Sequence, residues 1–168
     1  DGDVDLFIGT NVIEEQYPNE FIEIIRDGRS PNRDRLFRND WNEALGHPVF
    51  TDVSLDAGLM QDGYSHSTLI HDFNEDGWLD IYVANDYQSN DLIYINQQDG
   101  TFKNEASRIM KHASMSAMGS DIADVNNDGD GDFVVSEMQP YYNKRKKLFQ
   151  GGSSYQNTIL TRQYGYDY

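Results

Sequence analysis

Asp72-Phe73-Asn74-Glu75-Asp76-Gly77-Trp78-Leu79-Asp80 runs directly into the apolar stretch Ile81-Tyr82-Val83-Ala84. The same order of residue types returns at Asp124-Val125-Asn126-Asn127-Asp128-Gly129-Asp130-Gly131-Asp132, followed by Phe133-Val134-Val135. Both read D-x-N-x-D-G-x-x-D and then a β-rich run. The chain opens on Asp1-Gly2-Asp3-Val4-Asp5 and Leu6-Phe7-Ile8, which match the last five loop positions and the strand after them. Opening in mid-motif without an initiator Met, the sequence reads as a piece of a longer protein.

A second motif carries the same period. Leu36-Phe37-Arg38-Asn39 matches Ile93-Tyr94-Ile95-Asn96, and each precedes a Phe-led run, Phe50-Thr51-Asp52-Val53 and Phe102-Lys103-Asn104-Glu105. Phe50 to Asp72 and Phe102 to Asp124 are both 22 residues, and Asp76 to Asp128 is 52. Asp1 to Asp76 is longer, at 75, so the first unit carries insertions, the larger within about residues 11–32. A period near 40–50 residues with several short strands per unit is the mark of propeller blades. Strands are expected near 4–9, 34–38, 49–53, 67–71, 79–84, 91–95, 101–105, 119–123 and 133–136. Asp62-Gly63, Asp99-Gly100 and the loop glycines mark turns. A helix is expected at 19–26, stopped by Asp27-Gly28. The fold class is thus all-β: about two and a half propeller blades of four-stranded antiparallel sheets, with units at 1–71, 72–123 and 124–168, the last incomplete.

The loop spacing has a direct chemical reading. Oxygen ligands at positions 1, 3 and 5 converge when the backbone turns sharply, and Gly at position 6 permits that turn. Position 7 offers its carbonyl and the Asp at position 9 closes the shell. An all-oxygen set without His or Cys suits Ca²⁺ rather than zinc or copper. The expected ligands are Asp72, Asn74, Asp76 and Asp80 with the carbonyl of Trp78, and Asp124, Asn126, Asp128 and Asp132 with that of Asp130. Asp1, Asp3 and Asp5 are the remaining part of a third site. Position 12 is Val83 or Val135, inside a strand, so these are not EF-hand loops. The plain alternative is an Asn/Asp/Gly hairpin turn without metal. Two full copies and a partial copy with one spacing weigh against it, because clustered carboxylates without a cation repel each other.

Composition agrees. Acidic residues outnumber basic ones 29 to 13, for a formal charge of −16. That excess disfavours nucleic acid and anionic membrane surfaces as partners. With 11 Tyr and 8 Phe the chain is too aromatic for a disordered acidic tail. It has no Cys, so thiolate and disulfide chemistry are excluded. No apolar run reaches membrane-spanning length, so this segment does not insert in a membrane.

These loops and strands resemble the FG-GAP/VCBS repeats of integrin-α-type β-propellers. They are more closely similar to bacterial VCBS-repeat proteins related to cartilage acidic protein, which often carry an ASPIC/UnbV domain downstream. The resemblance is carried by Arg35-Leu36-Phe37-Arg38-Asn39, Phe50-Thr51-Asp52-Val53, Ala57-Gly58-Leu59, Asp99-Gly100-Thr101-Phe102, and above all Met118-Gly119-Ser120-Asp121-Ile122-Ala123-Asp124 with Ser136-Glu137-Met138-Gln139-Pro140. Glu137 departs from it, since relatives tend to have Asp there. The resemblance implies a propeller of about seven blades, of which this chain supplies part. It also implies a secreted or cell-surface, often bacterial, setting.

Other residues have plainer readings. His71 precedes Asp72 but is expected to be structural. Ser65, His66, Ser67 and Asp72 invite a triad, yet no nucleophile-elbow motif accompanies them. Lys144-Arg145-Lys146-Lys147 is expected to be a solvated loop or counter-charge. Tyr141, Tyr142, Tyr155, Tyr164, Tyr166 and Tyr168 are either a contact surface or packing for further blades. No catalytic residue is assigned. The expected function is a non-enzymatic, calcium-stabilised binding or scaffold module, cell-surface or secreted, for a protein or polysaccharide, with a bacterial outer-membrane assembly as one setting. The alternative is the propeller scaffold of an extracellular polysaccharide- or lipid-acting enzyme whose catalytic residues lie elsewhere. Its further partners are the remaining blades of a longer chain.

Overall fold

A computed structural model describes residues 3–12, 24–86, 89–114 and 116–138, together with residues 142, 144 and 163. Through residue 138 the described chain is all-β apart from one short helix, and its sheets are antiparallel. The first sheet holds β1 (Leu6–Ile8), β2 (Arg35–Asn42) and β3 (His47–Asp52), in that order. The second holds β4 (Ser65–His71), β5 (Asp80–Asn85), β6 (Leu92–Asn96) and β7 (Phe102–Asn104) as a four-stranded meander. The third pairs β8 (Ala117–Ala123) with β9 (Asp132–Glu137). The helix α1 is one turn, Ala106–Ile109. Successive short meanders of this kind are propeller blades, here a fragment of the ring.

The expected strands are all present, with ends shifted by a residue or two and β2 extended to Asn42. Sheet pairing is phased differently from the sequence units. The strand that ends unit 1–71 is bonded to β5, from Thr68↔Val83 to His71↔Asp80, and not to the first sheet. Each acidic loop therefore joins the first two strands of one sheet. The helix expected at 19–26 falls mostly outside the described residues, and residues 24–26 are not helical. Of the Lys/Arg run only Lys144 is described, and it is exposed; most of the C-terminal tyrosines lie outside the described residues, whereas Tyr142 is exposed.

Period-two alternation explains the packing. β5 and β6 are central strands covered on both faces, so their sequences are continuous apolar runs, and every residue of β5 is buried. Ile81, Val83, Leu92 and Tyr94 point one way, into a core shared with Leu36, Ala57 and Leu59 and flanked by Phe7, Val53 and Phe102. Tyr82, Ala84, Ile93 and Ile95 point the other way, toward Ala106 and Ala117, flanked by Leu69, Phe73, Met110 and Val135. One strand pair thus feeds two cores, and each core is a seam between neighbouring sheets. Gly58 sits at such a seam with φ +86, and a Cβ there would come within 2.7 Å of the Phe102 carbonyl oxygen. That is why the Ala57-Gly58-Leu59 segment needs glycine.

The β5–β6 turn is held by a buried carboxylate. Asp91 accepts the Tyr82 hydroxyl at 2.9 Å, the Asn85 N–H at 2.9 Å and the Ser114 N–H at 3.3 Å. Burial pushes the Asp91 carboxyl above its usual range, and these three donors oppose that. Tyr82→Phe is expected to cost about 1.5–3 kcal/mol, the worth of a hydrogen bond to a charged group. A chemical-denaturation midpoint equal to that of the unaltered chain would show that the hydroxyl contributes nothing.

Candidate metal centre

The two complete loops close in the same way, bond for bond. In the first, Asp76 N–H donates to both Asp72 Oδ1 and Asn74 Oδ1, each at 3.1 Å, and Gly77 N–H donates to Asp72 Oδ2 at 2.7 Å. In the second, Asp128 N–H donates to Asp124 Oδ1 at 3.2 Å and Asn126 Oδ1 at 2.8 Å, and Gly129 N–H to Asp124 Oδ2 at 3.0 Å. The side chains of positions 1 and 3 are therefore folded over one backbone point. The curl needs left-handed backbone twice per loop, at Glu75 (φ 59) and Gly77 (φ 90), and at Asn127 (φ 62) and Gly129 (φ 97). Glycine takes that conformation without strain and Asn is the residue that tolerates it next best.

Position 5 is drawn to position 7. Trp78 N–H donates to Asp76 Oδ1 and Asp130 N–H to Asp128 Oδ1, both at 2.9 Å. The Trp78 N–H, then Asn74 and Gln98, hold the Asp76 carboxyl below the usual carboxylate range; the Asp130 N–H, then Asn126, does the same for Asp128. Both are ionised at neutral pH, as a metal ligand must be. None of the ion pairs among the described residues reaches a carboxylate of either loop.

Position 9 does something the sequence did not suggest. Asp80 is fully buried, with Oδ2 accepting Phe73 N–H at 2.9 Å and Oδ1 accepting Asn96 N–H at 2.8 Å. It ties the loop's second residue to the end of β6, and Asn96 returns the tie through its amide to the Leu79 carbonyl at 3.2 Å. Asp132 repeats half of this, accepting Val125 N–H at 3.1 Å. Asp5 repeats the other half: its Oδ1 accepts Asn39 N–H at 2.9 Å while the Asn39 amide donates to the Val4 carbonyl at 3.1 Å. Asn39 and Asn96 were visible as repeat positions, and their role as partners of position 9 was missed. The Asx residue closing each Leu/Ile-x-x-Asn motif was the available signal.

The structure thus gathers Asp72, Asn74, Asp76 and the Trp78 backbone, and likewise Asp124, Asn126, Asp128 and the Asp130 backbone. Asp80 and Asp132 stand at the loop ends, bonded to main-chain donors; each carboxylate oxygen has a second lone pair. Asp3 and Asp5 are described and exposed, and Asp1 lies outside the described residues. Among the described residues no three carboxylate, imidazole or thiolate side chains converge on one point. The donor set that fits a cation here is mixed: two loop carboxylates, an amide oxygen and main-chain carbonyls. Such a set is all oxygen, the chemistry Ca²⁺ takes with six to eight ligands.

The triad candidates are dispersed. Ser65 donates to Asp34, His66 lies 3.7 Å from Asp86, and Ser67 shares a 2.7 Å hydrogen bond with Ser120 of the next sheet. His71 packs edge-on against Phe73, with ring centroids 5.5 Å apart. A Cβ on Gly131 would come within 2.9 Å of its Nε2, so His71 abuts the second loop.

Successive antiparallel sheets, two of them with an acidic β-type loop between their first two strands, define a protein of the propeller-repeat class. Residues 72–135, from the first position of the first loop through the strand after the second, match the family model of the FG-GAP-like repeat. No curated protein matches the chain.

Proposed function

We propose that this chain is a calcium-stabilised, non-enzymatic binding or scaffold module that works at a cell surface or in the extracellular space. The observation that carries this is the matching closure of the two loops, around oxygen donors that form no ion pair among the described residues. Calcium would be held by Asp72, Asn74 and Asp76 with the Trp78 carbonyl, and by Asp124, Asn126 and Asp128 with the Asp130 carbonyl. Its chemistry there is charge neutralisation and cross-linking of the loop. Loops of this open kind suit the millimolar calcium outside cells. No helix among the described residues is long and apolar enough to cross a membrane. The Met118–Asp124 and Ser136–Pro140 segments support a finer relation to bacterial VCBS-repeat proteins related to cartilage acidic protein.

A partner surface follows from the repeat. Leu6, Ile8 and Phe50 are the counterparts of Ile81, Val83 and Phe102, which pack against the first sheet from the second. Leu6, Ile8 and Phe50 are exposed. A further blade, or a protein offering the equivalent apolar face, would cover them; a protein or polysaccharide ligand would meet the loops.

Calcium titration by calorimetry tests the metal reading. Two equivalents are expected for the unaltered chain, and one for either double variant, Asp72→Ala with Asp76→Ala or Asp124→Ala with Asp128→Ala. Heats of dilution alone from the unaltered chain would end the proposal.

A further inference from the structure

Asp34 stands at the joint between the first and second sheets. It precedes β2, is 1% exposed, and among the described residues forms no ion pair. Its Oδ1 accepts the Thr10 N–H, just past β1, at 2.9 Å, and the hydroxyl of Ser65, the first residue of β4. Its Oδ2 is buried and, among the described residues, has no hydrogen-bond partner. The nearby Tyr94 hydroxyl of β6 is likewise buried and without a partner, as are Nε and Nη1 of Arg33. The charged and titratable groups around this joint are Arg33, beside Asp34 in the chain, Asp62, bridged to Arg33, and Tyr94. Both carboxylates act electrostatically on Tyr94. A buried carboxylate with one bare oxygen is the form that such a place disfavours; a carboxylic acid is the form it tolerates.

We propose that Asp34 is a proton-dependent fastener between the first and second sheets, taking up a proton as the surroundings turn mildly acidic and thereby tightening the seam. The carboxyl gains a proton from solvent at Oδ2, while Oδ1 keeps accepting from Thr10 and Ser65. Burial pushes Asp34 up to about 6, against the opposing pull of Ser65 and then Thr10. Since the closed joint binds the proton more tightly than the open one, stability is gained as pH falls through about 6. That gain is complete below the ordinary carboxylate range, and it is lost again as pH rises.

The test is hydrogen exchange of the Thr10 amide, which reports on the joint directly. Rates are corrected for intrinsic chemistry and read from pH 7 to pH 5 at fixed calcium, for the whole chain and for Asp34→Asn. The linkage relation predicts about tenfold stronger protection at pH 5 than at pH 7 for the unaltered chain. Asp34→Asn keeps an acceptor for Thr10 and Ser65 and should show a flat profile. An equal rise in both chains, or none in either, overturns the proposal. If Asp34→Asn does not fold, carboxyl NMR titration of the unaltered chain decides: an apparent pKa near 6 at Asp34 supports it, and one in the ordinary carboxylate range overturns it.

Discussion

Free calcium at a hundred times its dissociation constant is expected to stabilise the folded chain by about 2.7 kcal/mol for each loop it fills. The sign follows from binding to the folded state alone, because the ligand set exists only when Asp72, Asn74 and Asp76 are curled together. The unfolded chain separates them. Chelation removes this term, so melts in EGTA should begin well below melts in calcium. Magnesium at the same concentration should act weakly, since it demands octahedral geometry and keeps its water. Coincident melting curves with EGTA and with saturating calcium would remove the basis for the metal reading.

Asp80→Ala is expected to destabilise the chain even when no calcium is present, and this separates it from Asp76→Ala. Truncation at Asp80 leaves the Phe73 and Asn96 N–H groups without their acceptor in partly buried surroundings. Each orphaned donor costs about 1–3 kcal/mol, so the loss is several kcal/mol in all. Asp76 is exposed and its side chain serves loop donors, so Asp76→Ala should cost little in EGTA and remove most of the calcium-dependent gain. Denaturation of the two variants, each with and without calcium, gives four numbers that sort the roles. An Asp80→Ala chain as stable as the unaltered one in EGTA would refute the anchoring role. Asp80→Asn, which keeps one acceptor oxygen, should fall between.

Much of this was legible in the residues. The strands were found because β5 and β6 are central and buried on both faces, which leaves unbroken runs such as Ile81-Tyr82-Val83-Ala84 between polar loops. The loops were legible because a tight curl closed by Asp and Asn side chains on main-chain N–H groups fixes residue types at fixed offsets, and both copies keep them. The short helix Ala106–Ile109 was not foreseen. One turn is too short to show a helical period, and its place is set by Ala106 packing under Ile93 and Ile95.

The sequence by itself determined the period, the strands and the composition of each loop, because these are local patterns repeated along the chain. A period can be cut at any point without changing it, so the sequence could not say which strands share a sheet. Only long-range hydrogen bonding decided that Ser65–His71 joins Asp80–Asn85. The tertiary structure likewise decided what position 9 does, since the Asp80 carboxylate meets the Asn96 N–H, 16 residues on, only once β5 and β6 are paired. It also decided that Asp34, one acidic residue among many in the sequence, is the one shut away from water at a seam. Burial depends on what packs above a residue, and for Asp34 those neighbours, Thr10 and Ser65, are 24 and 31 residues away.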